Sequence, residues 1–141
     1  MAGMRRDDDG QGAVMVVGLL VLAMLIAGLA IDTTRMIIVR RDLQNACDAG
    51  VLAGASVIDI PRLRASGGKE IALSPQPARV RALEAIAAQA PRGHRSEVQA
   101  TAEDVAATVS TRVELRFLVL AGFAETVISA RCRAVPRSPA P

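Results

Sequence analysis

Few residues in this chain have types and spacings that suit chemistry. Asp32 and Arg35 are three residues apart, which puts both on one face of a helix. Because they follow an apolar run directly, their position is typical of a charged pair at a membrane surface rather than of an acid–base catalyst. The single histidine, His94, lies in a Pro- and Gly-containing turn without a second histidine, a cysteine or a carboxylate cluster nearby, and is expected to be solvated.

Known catalytic and binding motifs are missing from the sequence. The pair Gly67-Gly68 does not precede the Lys-Ser/Thr helix start of a phosphate-binding loop, and there is no nucleophile motif or paired-carboxylate spacing. We therefore expect no catalytic residue, no cofactor, no metal and no small-molecule substrate. The protein is predicted not to be an enzyme.

The two cysteines offer one further chemistry. Cys47 lies on a predicted helix and Cys132 on the apolar side of a predicted strand. If those two faces pack together, a disulfide closes a loop of about 85 residues, which the loop-entropy relation makes worth on the order of 4 kcal/mol. Two buried thiols that act as small apolar side chains are the alternative.

The element that positions all these residues is the apolar run Gly12–Ile31, which contains no charge, amide or hydroxyl. As a helix it rises about 30 Å, the thickness of a bilayer's hydrocarbon core. A buried core helix is a poor alternative, since 141 residues with two Phe and no Trp or Tyr supply little bulk to surround it. Residues 12–31 are thus predicted to be a transmembrane helix in contact with lipid.

The overall charge does not indicate a particular binding partner. The formal net charge of +3 and the pI near 9.6 reflect basic residues spread along the chain. Binding to nucleic acid requires a basic cluster with stacking aromatic side chains, and the sequence has neither, so nucleic acid is not an expected partner.

Residues 1–11 are predicted to be a leader, and three origins for it were compared. Signal peptidase would cleave after Ala30, where small residues precede Ile31. However, acidic Asp7–Asp9 and the length of the apolar run are unlike a secretory signal. A prepilin leader requires a glutamate five residues into the mature chain, and Met15 or Val17 stands there instead. An uncleaved membrane anchor is the favoured interpretation.

The helical pattern continues past the membrane run. Residues 32–58 contain no proline, and apolar residues recur every three or four positions. This predicts one helix of residues 13–58, about 69 Å long. One face carries small residues, which suit the close approach of a sheet or a neighbouring helix, or form an Ala-rich core face; the predicted packing residues are Leu43, Ala46, Gly50, Ala53 and Gly54.

Between about Gly10 and Ser56 the chain contains four stretches at fixed spacing: Gly12-Ala-Val, Leu29-Ala-Ile-Asp-Thr-Thr-Arg35, Val39-Arg-Arg-Asp-Leu-Gln-Asn-Ala46 and Asp48-Ala-Gly-Val-Leu-Ala-Gly-Ala55. With these stretches the segment resembles the N-terminal region of TadE/TadG-like proteins of the tight-adherence (Flp) pilus-assembly system. Cys47 and Gly50 depart from this pattern, since such proteins usually have Ala at these two positions. The chain has no room for the large extra domain of the longer TadG form, so a short TadE-like or isolated N-terminal-domain type is the closer comparison.

The resemblance implies a single-pass inner-membrane protein with a cytoplasmic N-terminus and an extracytoplasmic C-terminal domain. It implies a non-enzymatic, pseudopilin-like component of a Tad/Flp-type pilus-assembly or secretion system, which contacts other subunits laterally through its helix. The missing glutamate favours an accessory protein over a filament subunit. The alternative function is a small secreted binding domain released after Ala30.

The remaining residues are predicted to form a small extracytoplasmic α/β domain, 59–135, with a flexible tail, 136–141. Residues 59–76 are predicted to be a loop, followed by a short helix that begins at Pro77 and has an apolar stripe of Val80, Leu83, Ile86, Ala87 and Ala90. Alternating apolar residues predict strands around Val98, from Val105 to Leu115 and from Glu125 to Val135. The predicted class is α+β: a pilin-like long helix, half transmembrane, with a short second helix and a small antiparallel sheet packed on it.

Overall fold

A computed structural model describes residues 6–136, with side chains for residues 11–120 and 122–136. Residues 1–5 of the predicted leader and 137–141 of the predicted tail lie outside this range. The elements in chain order are helices α1 (Arg6–Ala55), α2 (Ile60–Ala65) and α3 (Pro75–Gln89), strands β1 (Arg95–Ala100) and β2 (Val105–Glu114), a 3-10 turn (Leu118–Ala121) and strand β3 (Glu125–Ala134). The predicted α+β class is confirmed.

Helix α1 contains both the apolar run and its polar continuation. It is long and apolar enough to cross a bilayer. Each large apolar side chain from Val14 to Ile31 exposes between 50% and 75% of its surface. Such a continuous exposed apolar surface is unusual in water and is the surface that a lipid-facing helix requires.

The helix ends three residues earlier than predicted. Ser56 and Val57 form a turn, in which the Val57 N–H donates to the Gly54 carbonyl, and Ile58 pairs with Leu73 as an isolated bridge. The predicted end at residue 58 was wrong because the Val57 carbonyl accepts a hydrogen bond from the Ser74 N–H, and the Asp59 N–H donates to the Ala72 carbonyl, instead of continuing the helix.

The predicted loop 59–76 contains a helix, α2. Asp59 precedes it, and its carboxylate accepts a hydrogen bond from the Arg62 N–H at 3.2 Å, while Pro61 occupies the first turn. An acidic cap and an early proline are helix-start signals that the loop prediction overlooked. After α2 the chain turns through Gly67 and Gly68, both at positive φ, which non-glycine residues rarely adopt.

Helix α3 begins at Pro75 rather than Pro77, and its buried face was predicted in part. Ile86 is buried and Leu83 packs on the core as predicted, but Ala78 and Ala82 are buried while Val80 is exposed. The reason is steric: Ala78 and Ala82 lie directly against the backbone of α1 at Gly54, where small residues are needed.

The three strands form one antiparallel sheet in the order β1-β2-β3. Strand β1 pairs with β2 from Arg95 opposite Ser110 to Ala100 opposite Val105. Along β2 the buried residues alternate with half-buried or exposed ones, as the period-two pattern predicted. The buried face belongs to Val105, Ala107, Val109, Thr111 and Val113.

The described chain divides into two compact units. The first contains residues up to Arg35 together with Glu114–Glu125; the second contains Met36–Val113 and the residues from Thr126 onward. The hydrophobic core lies in the second unit, between α1, α3 and the sheet. Its members include Leu43, Val51, Leu73, Ile86, Val98, Val105, Val109 and Ala130.

Candidate functional site

The most specific polar arrangement in the first unit surrounds Asp32. This residue is only 1% exposed, and its carboxylate accepts three backbone hydrogen bonds. Oδ1 accepts from the Arg116 N–H at 3.1 Å, and Oδ2 accepts from the N–H groups of Phe117 and Leu118 at 2.8 Å each. We call this arrangement the Asp32 clamp. Bonds from neutral N–H groups to a carboxylate are charge-assisted and stronger than ordinary ones.

Local geometry explains why three successive amides point at one carboxylate. Strand β2 ends at Glu114, the Leu115 N–H bonds to the Ala124 carbonyl, and the chain then enters the 3-10 turn. The first N–H groups of a helical turn have no partner within it. Gly122 closes the turn at φ 90°, a left-handed conformation that favours glycine. The carboxylate of Asp32 therefore caps the turn from outside.

Arg35 contacts the same segment. Its Nη1 donates to the Glu114 carbonyl at 3.4 Å. The sequence grouped Asp32 and Arg35 as a membrane-exit pair. In the structure both side chains bind the backbone of residues 114–118, so their shared target is the segment between β2 and β3.

An apolar contact accompanies the clamp. A Cβ added at Gly28 would lie 2.6 Å from two ring carbons of Phe117 and 2.8 Å from its Cβ, so the ring occupies the space that a side chain at position 28 would need. Gly28 is one helical turn before Asp32, so the ring and the clamp hold the segment against one face of α1. No pattern in the sequence indicates this role of Gly28.

In the second unit, the predicted packing residues occupy different environments. Leu43 and Ala46 are fully buried, while Ala53 is half-buried. A Cβ at Gly50 would collide with the side chain of Ile86 and would lie 3.1 Å from the Ala82 carbonyl oxygen. At Gly54 it would lie 2.9 Å from the Ala78 carbonyl oxygen. The close neighbour of the small-residue face is thus helix α3.

Cys47 and Cys132 are joined by a disulfide between α1 and β3, with their Cα atoms 5.9 Å apart. That separation lies within the usual range for a disulfide. Cys47 is fully buried, and its sulfur lies 3.6 Å from the Ala107 carbonyl oxygen of β2.

The turn between β1 and β2 contains a charged cluster that sequence reasoning missed. The Thr101 hydroxyl donates to the Asp104 carboxylate, and Arg133 Nε of β3 donates to Asp104 Oδ2 at 2.6 Å. These bonds hold the pKa of Asp104 below its usual range, against the opposing effect of partial burial. Arg133 lies 29 residues away in sequence, so local spacing could not reveal the pair.

His94 lies half-buried in the turn after α3, where its Nδ1 is 3.0 Å from the Pro91 carbonyl oxygen. Among the described side chains of residues 11–120 and 122–136, no group of three or more His, Cys, Asp or Glu is arranged to hold a metal ion. In the described part of the chain, the polar side chains discussed above bond to other parts of the fold, and the exposed apolar surface belongs mainly to α1.

Residues 10–57 match the Tad family, described as Flp pilus-assembly TadE/G-like. The match covers about a third of the chain; it starts within the first turns of helix α1 and ends just past it. No curated protein and no solved structure matches the chain significantly. The apolar run, Asp32, Arg35 and the small-residue face all fall inside the matched region, and the resemblance inferred from the sequence is confirmed there: the N-terminal segment of this protein is TadE/G-like.

Proposed function

We propose that the protein is a non-enzymatic, membrane-anchored component of a Tad/Flp-type pilus-assembly or secretion system. The observation that carries the proposal is the exposed apolar surface of Val14–Ile31 within the TadE/G-like segment. A chain that merely folded in water would bury such a surface. The anchor is residues 12–31, with residues 1–11 cytoplasmic and residues 32–58 and 59–135 on the extracytoplasmic side of the inner membrane.

The Asp32 clamp supports an uncleaved anchor. Gly28 and Ala30 lie inside a continuous helix, and Gly28 provides the surface on which Phe117 packs. Cleavage after Ala30 would remove that surface and would leave Asp32 as the second residue of the new chain. The contacts of Gly28 and Asp32 therefore favour the anchor over the secreted-domain alternative.

Lateral contacts with other subunits require a helix face that the protein leaves uncovered. The face with Gly50 and Gly54 does not qualify, because α3 covers it. Ile38, Asn45 and Leu52 are exposed and recur every seven residues, so they form a stripe on the opposite side of the helix. An exposed Ile and Leu on a helix suit packing against another subunit, and we assign the pseudopilin-like contact to this stripe.

Site-specific photo-crosslinking tests this function. A benzophenone amino acid at Leu52 should crosslink to another pilus-assembly subunit in cells that contain the complete system. The matched control is the same probe at Arg92, an exposed residue in the turn after α3, and it should give no such product. If pili assemble normally and Leu52 yields no crosslink, the lateral-contact function is contradicted.

A further inference from the structure

The segment that the Asp32 clamp holds has an unusual surface. Residues 117–123 read Phe-Leu-Val-Leu-Ala-Gly-Phe, and they include both aromatic residues of the whole chain. Leu120 is 76% exposed and Phe123 is 63% exposed, and Val119 is exposed as well. Exposed apolar side chains concentrated in one short turn mark an interaction surface.

The position of this turn identifies what covers it. The ring of Phe117 packs on Gly28, three residues before the end of the apolar run. At a rise of 1.5 Å per residue, that contact lies about 5 Å inside the end of the predicted span. A turn fixed there stands at the boundary between lipid headgroups and acyl chains if α1 crosses the membrane.

Two further features suit that boundary. Arg116, the residue directly before the segment, is exposed. Arg35 follows the apolar run by four residues and donates to the Glu114 carbonyl. Basic side chains reach lipid phosphates while their stems remain on apolar surface. In addition, the backbone N–H groups of residues 116–118, which could not remain unpaired near lipid, are satisfied by Asp32.

We propose that residues 117–123 form a second membrane contact, an apolar turn that inserts into the outer interfacial region of the same bilayer that α1 spans. The Asp32 clamp and the Gly28–Phe117 contact fix the turn to the helix at this depth. The inference rests on the proposed membrane anchor. The membrane-inserted turn restrains the segment between β2 and β3 at the membrane surface.

Tryptophan fluorescence gives a direct test, because the natural chain contains no tryptophan. Three single-Trp variants of the full chain are reconstituted in phosphatidylcholine–phosphatidylglycerol vesicles: Leu120→Trp in the turn, Leu22→Trp in the span and Asn45→Trp, fourteen residues beyond the apolar run. Lipids with a nitroxide at a shallow or a deep acyl position serve as quenchers. We expect Leu120→Trp to emit at shorter wavelength than Asn45→Trp and to be quenched most by the shallow nitroxide.

The other outcomes overturn the proposal in distinguishable ways. If Leu22→Trp is quenched and Leu120→Trp is quenched only by aqueous iodide, the anchor stands and the membrane-contacting turn is wrong. If Leu120→Trp is shifted to shorter wavelength but neither lipid nitroxide quenches it, another protein surface covers the turn. If lipid nitroxides quench neither Leu22→Trp nor Leu120→Trp, the membrane anchor fails together with the turn.

Discussion

The carboxylate of Asp32 meets three peptide N–H groups at the end of an apolar helix. Replacement Asp32→Asn keeps the size of the side chain but turns one acceptor oxygen into a donor, which faces N–H donors it cannot bond. We expect amide hydrogen exchange of residues 116–118 to become faster by about tenfold, the factor for losing one charge-assisted hydrogen bond. Hydrogen–deuterium exchange measured by mass spectrometry on the protein in detergent micelles gives this change in exchange rate.

The control for this change is Asp48→Asn. Asp48 is exposed and accepts hydrogen bonds from the neighbouring Gln44 side chain at 3.2 Å. Exchange at residues 116–118 should be unaffected by that substitution. Equal exchange in Asp32→Asn and the natural protein would contradict the clamp.

Asp104 makes stability depend on pH in the acidic range. Its pKa is lower in the folded protein because the Thr101 hydroxyl and Arg133 bind the charged form. A lowered folded pKa means that this stabilisation is complete above the ordinary aspartate value of about 4 and is lost as pH falls through the lowered value. Asp104→Asn should flatten the dependence of the unfolding midpoint between about pH 5 and pH 2.

The comparison variant for Asp104 is Arg133→Gln. It removes the ion pair but leaves the Thr101 bond, so it should flatten the pH dependence only in part. Thermal unfolding followed by circular dichroism at several pH values distinguishes the effect of Asp104→Asn from that of Arg133→Gln. Identical pH profiles for the natural protein and Asp104→Asn would show that the cluster does not stabilise the fold.

Residue types alone identified Asp32 and Arg35 but not what they bind. Their partners are backbone groups some 80 residues later, the nearest in sequence to Asp32 being the N–H of Arg116, 84 residues away. Backbone groups carry no residue identity, so no spacing in the sequence could assign them. The role of Gly28 was missed for the same reason, because a glycine that makes room for a distant ring resembles any other small residue in a membrane span.

Helices α1 and α3 pack closely enough that a methyl group matters. Gly54→Ala would place a Cβ 2.9 Å from the Ala78 carbonyl oxygen, which is backbone and cannot rotate away. Overpacking costs about 1–3 kcal/mol, whereas alanine gains about 1 kcal/mol in helix propensity. We expect a net loss of about 1 kcal/mol, measured by urea unfolding in detergent.

Gly18→Ala is the matched control, since nothing lies within 4 Å of a Cβ at Gly18. It should not destabilise the protein. If Gly54→Ala is as stable as Gly18→Ala, the two helices are not in tight contact at this point.

The disulfide connects two elements that are distant in sequence. Cys47 and Cys132 are separated by 85 residues, and in the loop-entropy model such a crosslink stabilises the fold by about 4 kcal/mol. Reduction should lower the urea midpoint of the natural protein accordingly. The double variant Cys47→Ala/Cys132→Ala should show no response to reductant.

Free thiols decide the matter independently. Alkylation of the unreduced protein in denaturant, where both cysteines are accessible, should leave its mass unchanged. Addition of two alkyl groups would contradict the bridge and would leave the two cysteines as buried apolar side chains.

Strong sequence patterns placed the elements well, and weak ones did not. The long apolar and amphipathic run located α1, and strict alternation located β2 and β3, because burial on one face dictates both patterns. Helix α2 was missed, since six residues with an Asp cap contain no full apolar period. The buried face of α3 was predicted only in part: Ile86 was identified, but Ala78 and Ala82 were not, because the close approach at Gly54 selects small residues rather than the most apolar ones.

At the scale of the whole molecule, the two compact units differ in how their apolar side chains are covered. The second unit has its own core and a disulfide, as a small domain with little aromatic bulk requires. The first unit has the exposed apolar surface of Val14–Ile31 and the clamped turn, which the proposed membrane anchor would place against lipid. The architecture therefore suits a membrane component better than a released domain.

Cell fractionation combined with intact-mass measurement tests this membrane-anchored architecture most directly. We predict that the protein remains in the membrane fraction after alkaline extraction and that its mass includes residues 12–31. A protein found in the soluble extracytoplasmic fraction, with a mass that corresponds to a chain beginning at Ile31, would contradict the anchor and with it the proposed role in pilus assembly.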